Sequence, residues 1–149
     1  MSKTKNNYYA AWLIIVLAVF SAADSYGQNT HVMISGIRSE KGQIILNVFK
    51  DDESYNKEKV FKKLVFEKKA ITSGLMVIAC DLAPGTYGIT LIDDENKDAE
   101  LNKSFIGIPK EGFGFSNFFM EKMKKPAFDD FKIVVKSQDN KISIKVKYM

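Results

Sequence analysis

The chain has 149 residues, 22 lysines and arginines against 18 aspartates and glutamates, a formal net charge of +4 and one cysteine. That length supports a single folded domain, and a lone Cys80 excludes an internal disulfide, so stability must come from a packed core. The basic residues are lysines spread along the chain, with Arg38 the only arginine, which is not the concentrated patch of a nucleic-acid binder.

Lys3 and Lys5 precede an uninterrupted apolar run, Ala10–Phe20, and small residues follow it. This is the pattern of an export signal over residues 1–27, with cleavage after Ala23 or after Gly27. The apolar run is far shorter than the roughly 20 residues a spanning helix needs. The expected product is periplasmic or extracellular and does not span the membrane. Losing Lys3, Lys5 and Asp24 lowers the net charge only from +4 to +3, and no nucleic-acid partner is expected.

Downstream the periodicity is that of strands. Val32–Ile37 and Gln43–Phe49 flank the turn residues 39–42 and read as a hairpin. Asp51–Lys63 is polar, and Asp52 or Ser54 is placed to cap a short helical turn before residues 55–60. Leu64–Phe66 is a shorter candidate strand. Leu75–Asp81 and Thr86–Asp93 read as a second hairpin, joined by Leu82-Ala83-Pro84-Gly85 with the chemistry of a type II turn. Phe131–Val135 and the alternating Ile142, Ile144, Val146 and Tyr148 read as a third hairpin, turning at 137–140. About seven short strands without a persistent helical pattern predict an all-β fold, a single antiparallel β-sandwich of Ig-like or transthyretin-like type over 28–149.

Between Asp93 and Phe131 lie 37 residues, the excursion 94–130, and connections beyond about 12–15 residues are usually functional or disordered. Six of the eleven phenylalanines fall here, Phe105, Phe113, Phe115, Phe118, Phe119 and Phe128, which predicts a loop with a small core of its own. In its central run GIPKEGFGFSN, residues 107–117, Gly107, Gly112 and Gly114 allow positive φ or close backbone approach, and Pro109 stiffens the chain. The sharper use of the same run is an aromatic cleft for an envelope glycan, lipid or protein. Its candidate contacts are Lys110, Glu111, Phe113, Phe115 and Asn117.

Asp94, Asn96 and Asp98 alternate as the first oxygen ligands of a calcium loop do, with Glu100 adding a backbone carbonyl and Asn102 a water-bridged oxygen. Ala99 stands where such a loop uses glycine, and Phe105 where it uses a bidentate acid; Glu111 is the candidate replacement. Ca²⁺ is therefore the one cofactor suggested, against the alternative of a solvated acidic turn. No nucleophile elbow, phosphate loop, zinc spacing or dinucleotide fingerprint is present in the sequence. Lys110 and Glu111 are adjacent and point to opposite faces of an extended segment. Two-carboxylate chemistry would need Glu111 to meet Asp94 or Asp98 through space. Cys80 shares its face with Met76, Ile78 and Leu82 and reads as a buried, inert thiol.

The succession Asp81–Tyr87, Asp94-Glu95-Asn96, Gly107–Asn117 and Pro126-x-Phe128-Asp129-Asp130 resembles the secreted bacterial domain-of-unknown-function family 2141. The resemblance covers essentially all of the chain after residue 27. It implies an exported β-sandwich protein of envelope-bearing bacteria of the Bacteroidetes type, and no particular chemistry. The acidic loop of that family resembles D-E-N-G-N-G-x-L-D; here Lys97 and Ala99 replace both glycines, and Asn102 stands at the last aspartate. The expected function is a non-enzymatic exported binding or structural module of the envelope. The alternatives are a small hydrolase of envelope glycan or ester and a calcium-dependent adhesion or glycan-binding domain.

Overall fold

The structure, a computed structural model, describes residues 28–122 and 124–149. The export signal expected over 1–27 lies outside the described residues. Among the described residues no helix is long and apolar enough to cross a membrane.

The elements follow in the order β1 (Thr30–Ser35), β2 (Gln43–Phe49), α1 (Asp52–Asn56), β3 (Lys62–Glu67), β4 (Met76–Cys80), β5 (Gly85–Asp94), β6 (Gly112–Phe115), α2 (Phe128–Phe131), β7 (Lys132–Val135) and β8 (Asn140–Lys145). They form a three-stranded sheet, β4-β1-β8, and a five-stranded one, β3-β2-β5-β6 with β7 also on β5. Every pairing is antiparallel except the parallel β1–β8. The chain is thus an all-β sandwich, with eight strands among the described residues.

None of the three expected hairpins forms. β1 and β2, β4 and β5, and β7 and β8 each divide between the two sheets, so each connection arches across the core. A half-buried strand alternates in the same way whether its sequence neighbour lies beside it or opposite it, and the same turn residues serve both. At the second connection Gly85 opens β5 without positive φ, so the expected type II turn is absent there. Leu64–Phe66 lengthens into β3 because the whole of it pairs with β2. The helical turn is capped by Asp51 rather than Asp52 or Ser54. The Asp51 carboxylate accepts the Ser54 N–H at 2.7 Å and its own N–H donates to Ser54 Oγ at 3.2 Å, a capping box.

Between the sheets, Ile44, Leu46 and Val48 of β2 and Ile89 and Leu91 of β5 pack against Val32, Ile34, Ile142 and Ile144. On the outer face of the five-stranded sheet Lys63 and Val65 of β3 stay exposed, but over β2, β5 and β6 that face is covered as well. There Phe49, Phe113 and Phe115 cluster with Tyr55 of α1, Phe128 and Phe131 of α2, and Met120. Double coverage explains why β2 is buried along nearly its whole length while β1 and β8 alternate.

The excursion is therefore not one loop. Gly112–Phe115 adds strand β6 to the edge of β5, and Phe128–Phe131 forms α2. Gly112 and Gly114 serve close packing: a Cβ on either would lie 2.5 Å from Tyr148 Cε1 or Ile144 Cγ2 respectively. Of the three glycines only Gly107 has positive φ, at 82°. β6 also joins the two sheets at one side. Phe113 and Lys147 exchange backbone bonds of 3.0 and 2.8 Å, and the Asn117 N–H donates to Ser143 O at 2.8 Å. The edges of β6 and β8 thereby cover one another.

β6 and β7 occupy successive stretches of the same edge of β5, and Ile89 falls at the break between them. Ser116, 0% exposed, closes it. Its N–H donates to Ile89 O at 2.9 Å, its Oγ accepts the Ile89 N–H at 3.0 Å, and the hydroxyl donates to Phe131 O at 2.6 Å. Ser116→Ala leaves a buried N–H and a buried carbonyl without these partners, which is expected to lower unfolding free energy by about 2 kcal/mol. Urea denaturation checks this; an unchanged midpoint would show that the hydroxyl is dispensable.

Candidate functional site

β5 ends in two fully buried aspartates that alternation sends to opposite sides. Asp93 forms an ion pair with Lys68, both side chains out of solvent, and accepts the Tyr148 hydroxyl. Lys68 also donates to Ser39 O at 3.0 Å. Burial first, and then the bond to Asp93, push the Tyr148 phenol above its usual range.

Asp94 organises the acidic loop. Its Oδ1 accepts the Lys97 N–H at 2.7 Å, and its Oδ2 accepts the Ala99 N–H at 2.9 Å and Gln43 Nε2 at 2.7 Å. Asp98 accepts the Glu100 N–H at 3.0 Å, Asn96 Nδ2 at 2.9 Å and Asn102 Nδ2 at 2.5 Å. These bonds, that from Asn102 foremost, hold its carboxyl below the usual range. The chain then makes a small hairpin, in which the Lys110 N–H donates to Asn102 O at 2.8 Å, and returns Glu111 to the loop. Glu111 Oε2 accepts the Asn102 N–H at 3.1 Å. Burial raises the Glu111 carboxyl, the Asn102 bond opposes this, and the charges of Asp94 and Asp98 add to the rise.

One carboxylate oxygen from each of Asp94, Asp98 and Glu111 lies within 4.8 Å of the others. Of the five calcium candidates, Asp94 and Asp98 therefore face a common centre and Glu111 joins them. Asn96 and Asn102 direct their amides to Asp98, and Glu100 contributes its backbone N–H while its side chain is exposed. An all-oxygen set of this kind suits calcium chemically. The N–H donors on the same carboxylates also offset part of their mutual repulsion without an ion.

Over the outer face of the five-stranded sheet lies a cavity of about 570 Å³. Asn47, Thr90 and Ile92 line it from the sheet, Phe49, Tyr55 and Val60 from the side of α1, and Leu101, Pro109, Phe113 and Phe115 from the excursion. Two of the five predicted contacts, Phe113 and Phe115, thus share this wall. Lys110 is exposed elsewhere, Glu111 belongs to the acidic cluster, and Asn117 is committed to β8, its Oδ1 accepting the Ser143 N–H at 2.9 Å. Burial, followed by the charge of Asp130, pushes the Tyr55 phenol up to about 12. The hairpin that supplies Lys103 and Pro109 to the wall leaves Phe105 and Ile106 at its tip exposed, Phe105 completely at 107%.

Asn47 was not a candidate from sequence. It is 9% exposed, and its Oδ1 is buried without a hydrogen-bond partner among the described residues. The signal available was one polar residue inside the apolar run of β2, Gln43–Phe49. Elsewhere, Cys80 is buried and burial raises its thiol. His31 is exposed on the opposite face of β1 from Thr30, the register partner of Cys80, so the two side chains do not meet.

Fold and site together define an all-β sandwich with an aromatic-walled cavity and an adjoining acidic loop. The family model described as "Uncharacterized protein conserved in bacteria (DUF2141)" matches residues 32–143, and the chain belongs to that family. No curated protein and no solved structure matches the chain.

Lys97 and Ala99 have φ of 62° and 64°, and they stand at the two positions where the resembling pattern carries glycine. The left-handed region costs a residue with a Cβ about 1–2 kcal/mol, and the greater unfolded-state entropy of glycine offsets part of that gain. Ala99→Gly is expected to raise stability by about 0.5–1 kcal/mol. A thermal or urea melt that moves downward would contradict this account of the loop.

Proposed function

We propose that the protein is a non-enzymatic binding module that acts in the bacterial envelope after export, and that the aromatic-walled cavity is its binding site. The observation that carries this reading is the cavity itself. At about 570 Å³ it falls within the roughly 300–1,000 Å³ of small-molecule sites, which are mostly apolar with a few placed polar groups. The leader pattern of residues 1–27 supports export. Exposed Phe105 and Ile106 offer an apolar contact surface on the same hairpin that walls the cavity. Hydrolysis has weaker support: Asp94 and Glu111 are buried and bonded to backbone amides, and the acidic loop reaches the cavity through Ala99, Glu100 and Leu101 rather than through Asp94 or Asp98.

The test uses the chain from Gln28, without the apolar run 10–20, which would take up an apolar probe by itself. Diphenylhexatriene, a hydrocarbon that fluoresces on leaving water, is expected to bind saturably at one per chain. Leu101→Trp and Thr90→Phe, which fill the cavity from two sides, are each expected to weaken binding roughly tenfold, about 1.4 kcal/mol, while the melting temperature holds. No saturable signal from the unsubstituted chain, or undiminished binding in both variants, rules out the cavity.

The convergence of Asp94, Asp98 and Glu111 favours a second reading, in which Ca²⁺ bound to this loop stiffens the cavity wall. A ligand that binds only the native state raises its stability by mass action. Under this reading Ca²⁺ raises the melting temperature by several degrees over chelator, and Glu111→Gln abolishes the rise. Equal midpoints with Ca²⁺ and with chelator would leave the loop as a hydrogen-bonded acidic turn.

A further inference from the structure

We propose that the hairpin tip Phe105-Ile106 inserts into an anionic phospholipid bilayer and docks the protein on its surface. Backbone bonds hold the hairpin in one shape. The Lys110 N–H donates to Asn102 O at 2.8 Å, the Ser104 N–H to Ile108 O at 2.6 Å and the Gly107 N–H to Ser104 O at 2.9 Å. Phe105 and Ile106 are the two central residues of the closing turn and neither has positive φ, while Gly107 follows at 82°. A turn of this build accepts most residue types at its centre and usually carries polar ones. Here it carries two large apolar side chains, 107% and 77% exposed. The tip also stands clear of the sandwich, since a Cβ on Gly107 would meet nothing within 4 Å. Packing against the rest of the chain therefore accounts for neither side chain.

The charges around the tip select the surface. Residues 102–110 contain Lys103 and Lys110, both exposed, and no acidic residue. Two residues of strand separate Lys103 from Phe105, roughly 7 Å at the usual rise. Interfacial segments sink their apolar groups roughly 5–10 Å into the boundary between headgroups and acyl chains. An inserted Phe105 thus leaves the lysines level with the lipid phosphates, where an anionic surface attracts them. The acidic residues nearest in sequence lie behind the lysines. Glu111 is buried and accepts the Asn102 N–H, and Glu100 is three residues beyond Lys103, about 10 Å at the same rise and a Debye length at ordinary salt. A protein partner fits the tip less well. Specific interfaces between proteins bury roughly 1,200 Å² or more in total, and two side chains on a projecting turn supply a small part of that, whereas a fluid bilayer closes around them from every side. Lys103, Gly107 and Pro109 of the same hairpin wall the cavity, so docking brings the cavity to the bilayer, but the proposal does not rest on the cavity being a binding site.

The chain from Gln28 holds both sheets and both apolar clusters, and it contains no tryptophan, because the one in the sequence is Trp12. Phe105→Trp therefore places a single reporter at the tip. With vesicles of equal parts phosphatidylglycerol and phosphatidylcholine, its emission is expected to shift to the blue and to be quenched by lipids brominated on the acyl chain. In sedimentation, the unsubstituted chain is expected to bind these vesicles roughly tenfold more tightly than vesicles of phosphatidylcholine alone, a preference that Lys103→Ala with Lys110→Ala removes. Phe105→Ser with Ile106→Ser should weaken binding roughly tenfold or more, about 1.4 kcal/mol, at an unchanged melting temperature, because both side chains are exposed. An unshifted tryptophan, or binding undiminished in the serine variant, overturns the proposal. Equal binding to the two vesicle types overturns the anionic assignment. Self-association of the free chain that the serine variant abolishes, without vesicle binding, makes the tip a contact between copies and overturns it as well. Neither tip residue lines the cavity, so diphenylhexatriene binding in the absence of vesicles decides the cavity reading separately.

Discussion

The sharing of one edge of β5 is the constraint on which the outer layer of this protein depends. β5 runs from Gly85 to Asp94, and two four-residue strands from distant parts of the chain cover that edge in turn, β7 along its start and β6 along its end. Neither strand is long enough to pair with the whole edge. The hydroxyl and N–H of Ser116 fill the interval at Ile89 and reach the carbonyl of Phe131 as well. Ser116 therefore ties the end of β6 to β5 and to the end of α2 at one point, between the two ladders that set the register of β6 and β7. With the register fixed, the Phe131 ring lies 5.2 Å from Phe115 and 4.9 Å from Tyr55, centroid to centroid. Gly88 admits these rings, since a Cβ there would lie 2.5 Å from Phe131 Cε2. The aromatic layer that walls the cavity is thus a consequence of how the edge is stitched.

The other end of β5 is held by charge. The buried Lys68–Asp93 pair, with Tyr148 and the Ser39 carbonyl, ties together the ends of β3 and β5, the β1–β2 connection and the last turn of the chain. A buried pair of this kind adds little net stability over apolar packing, but loss of either partner leaves an uncompensated charge, so the four segments are bound to one arrangement. Gly42 completes it with a φ of 84° and a backbone that passes so close to Asp94 that no Cβ could be accommodated. The acidic loop consequently starts from a fixed point. From there Asp94 shapes it directly, by accepting the amides of Lys97 and Ala99.

The strands themselves were legible in the sequence, because period-two burial and β-branched residues mark them wherever one face is wet. Their partners were not. Ile142, Ile144 and Val146 would alternate identically beside β7 or beside β1, and only the assembled core selects the parallel pairing of β8 with β1. β6 was hidden for a different reason. Its glycines read as loop residues, whereas they are strand positions where Tyr148, Val146 and Ile144 press against the backbone. The clustering of phenylalanines did point to a local core, and Phe113, Phe115, Phe118 and Phe128 join one, but it is shared with Phe49 and Tyr55 from outside the excursion, and Phe105 and Phe119 are exposed. The meeting of Glu111 with Asp94 and Asp98 was legible only as a possibility, since it depends on the hairpin between Asn102 and Lys110.

Asn47 belongs to the part that sequence reasoning passed over, and its meaning depends on the second layer. In a sandwich with one solvated face, an outward asparagine on β2 would be an ordinary surface residue and would bond to water. Here α1, the excursion and the α2 segment cover that face, so the same position becomes interior. Covering it with aromatic rings that pack edge to face, such as Phe49 on Tyr55 at 5.5 Å and Phe128 on Phe131 at 5.7 Å, leaves space that flat side chains do not fill. The cavity and Asn47 thus lie on the same face for one physical reason: the second layer covers β2 without filling the space above it.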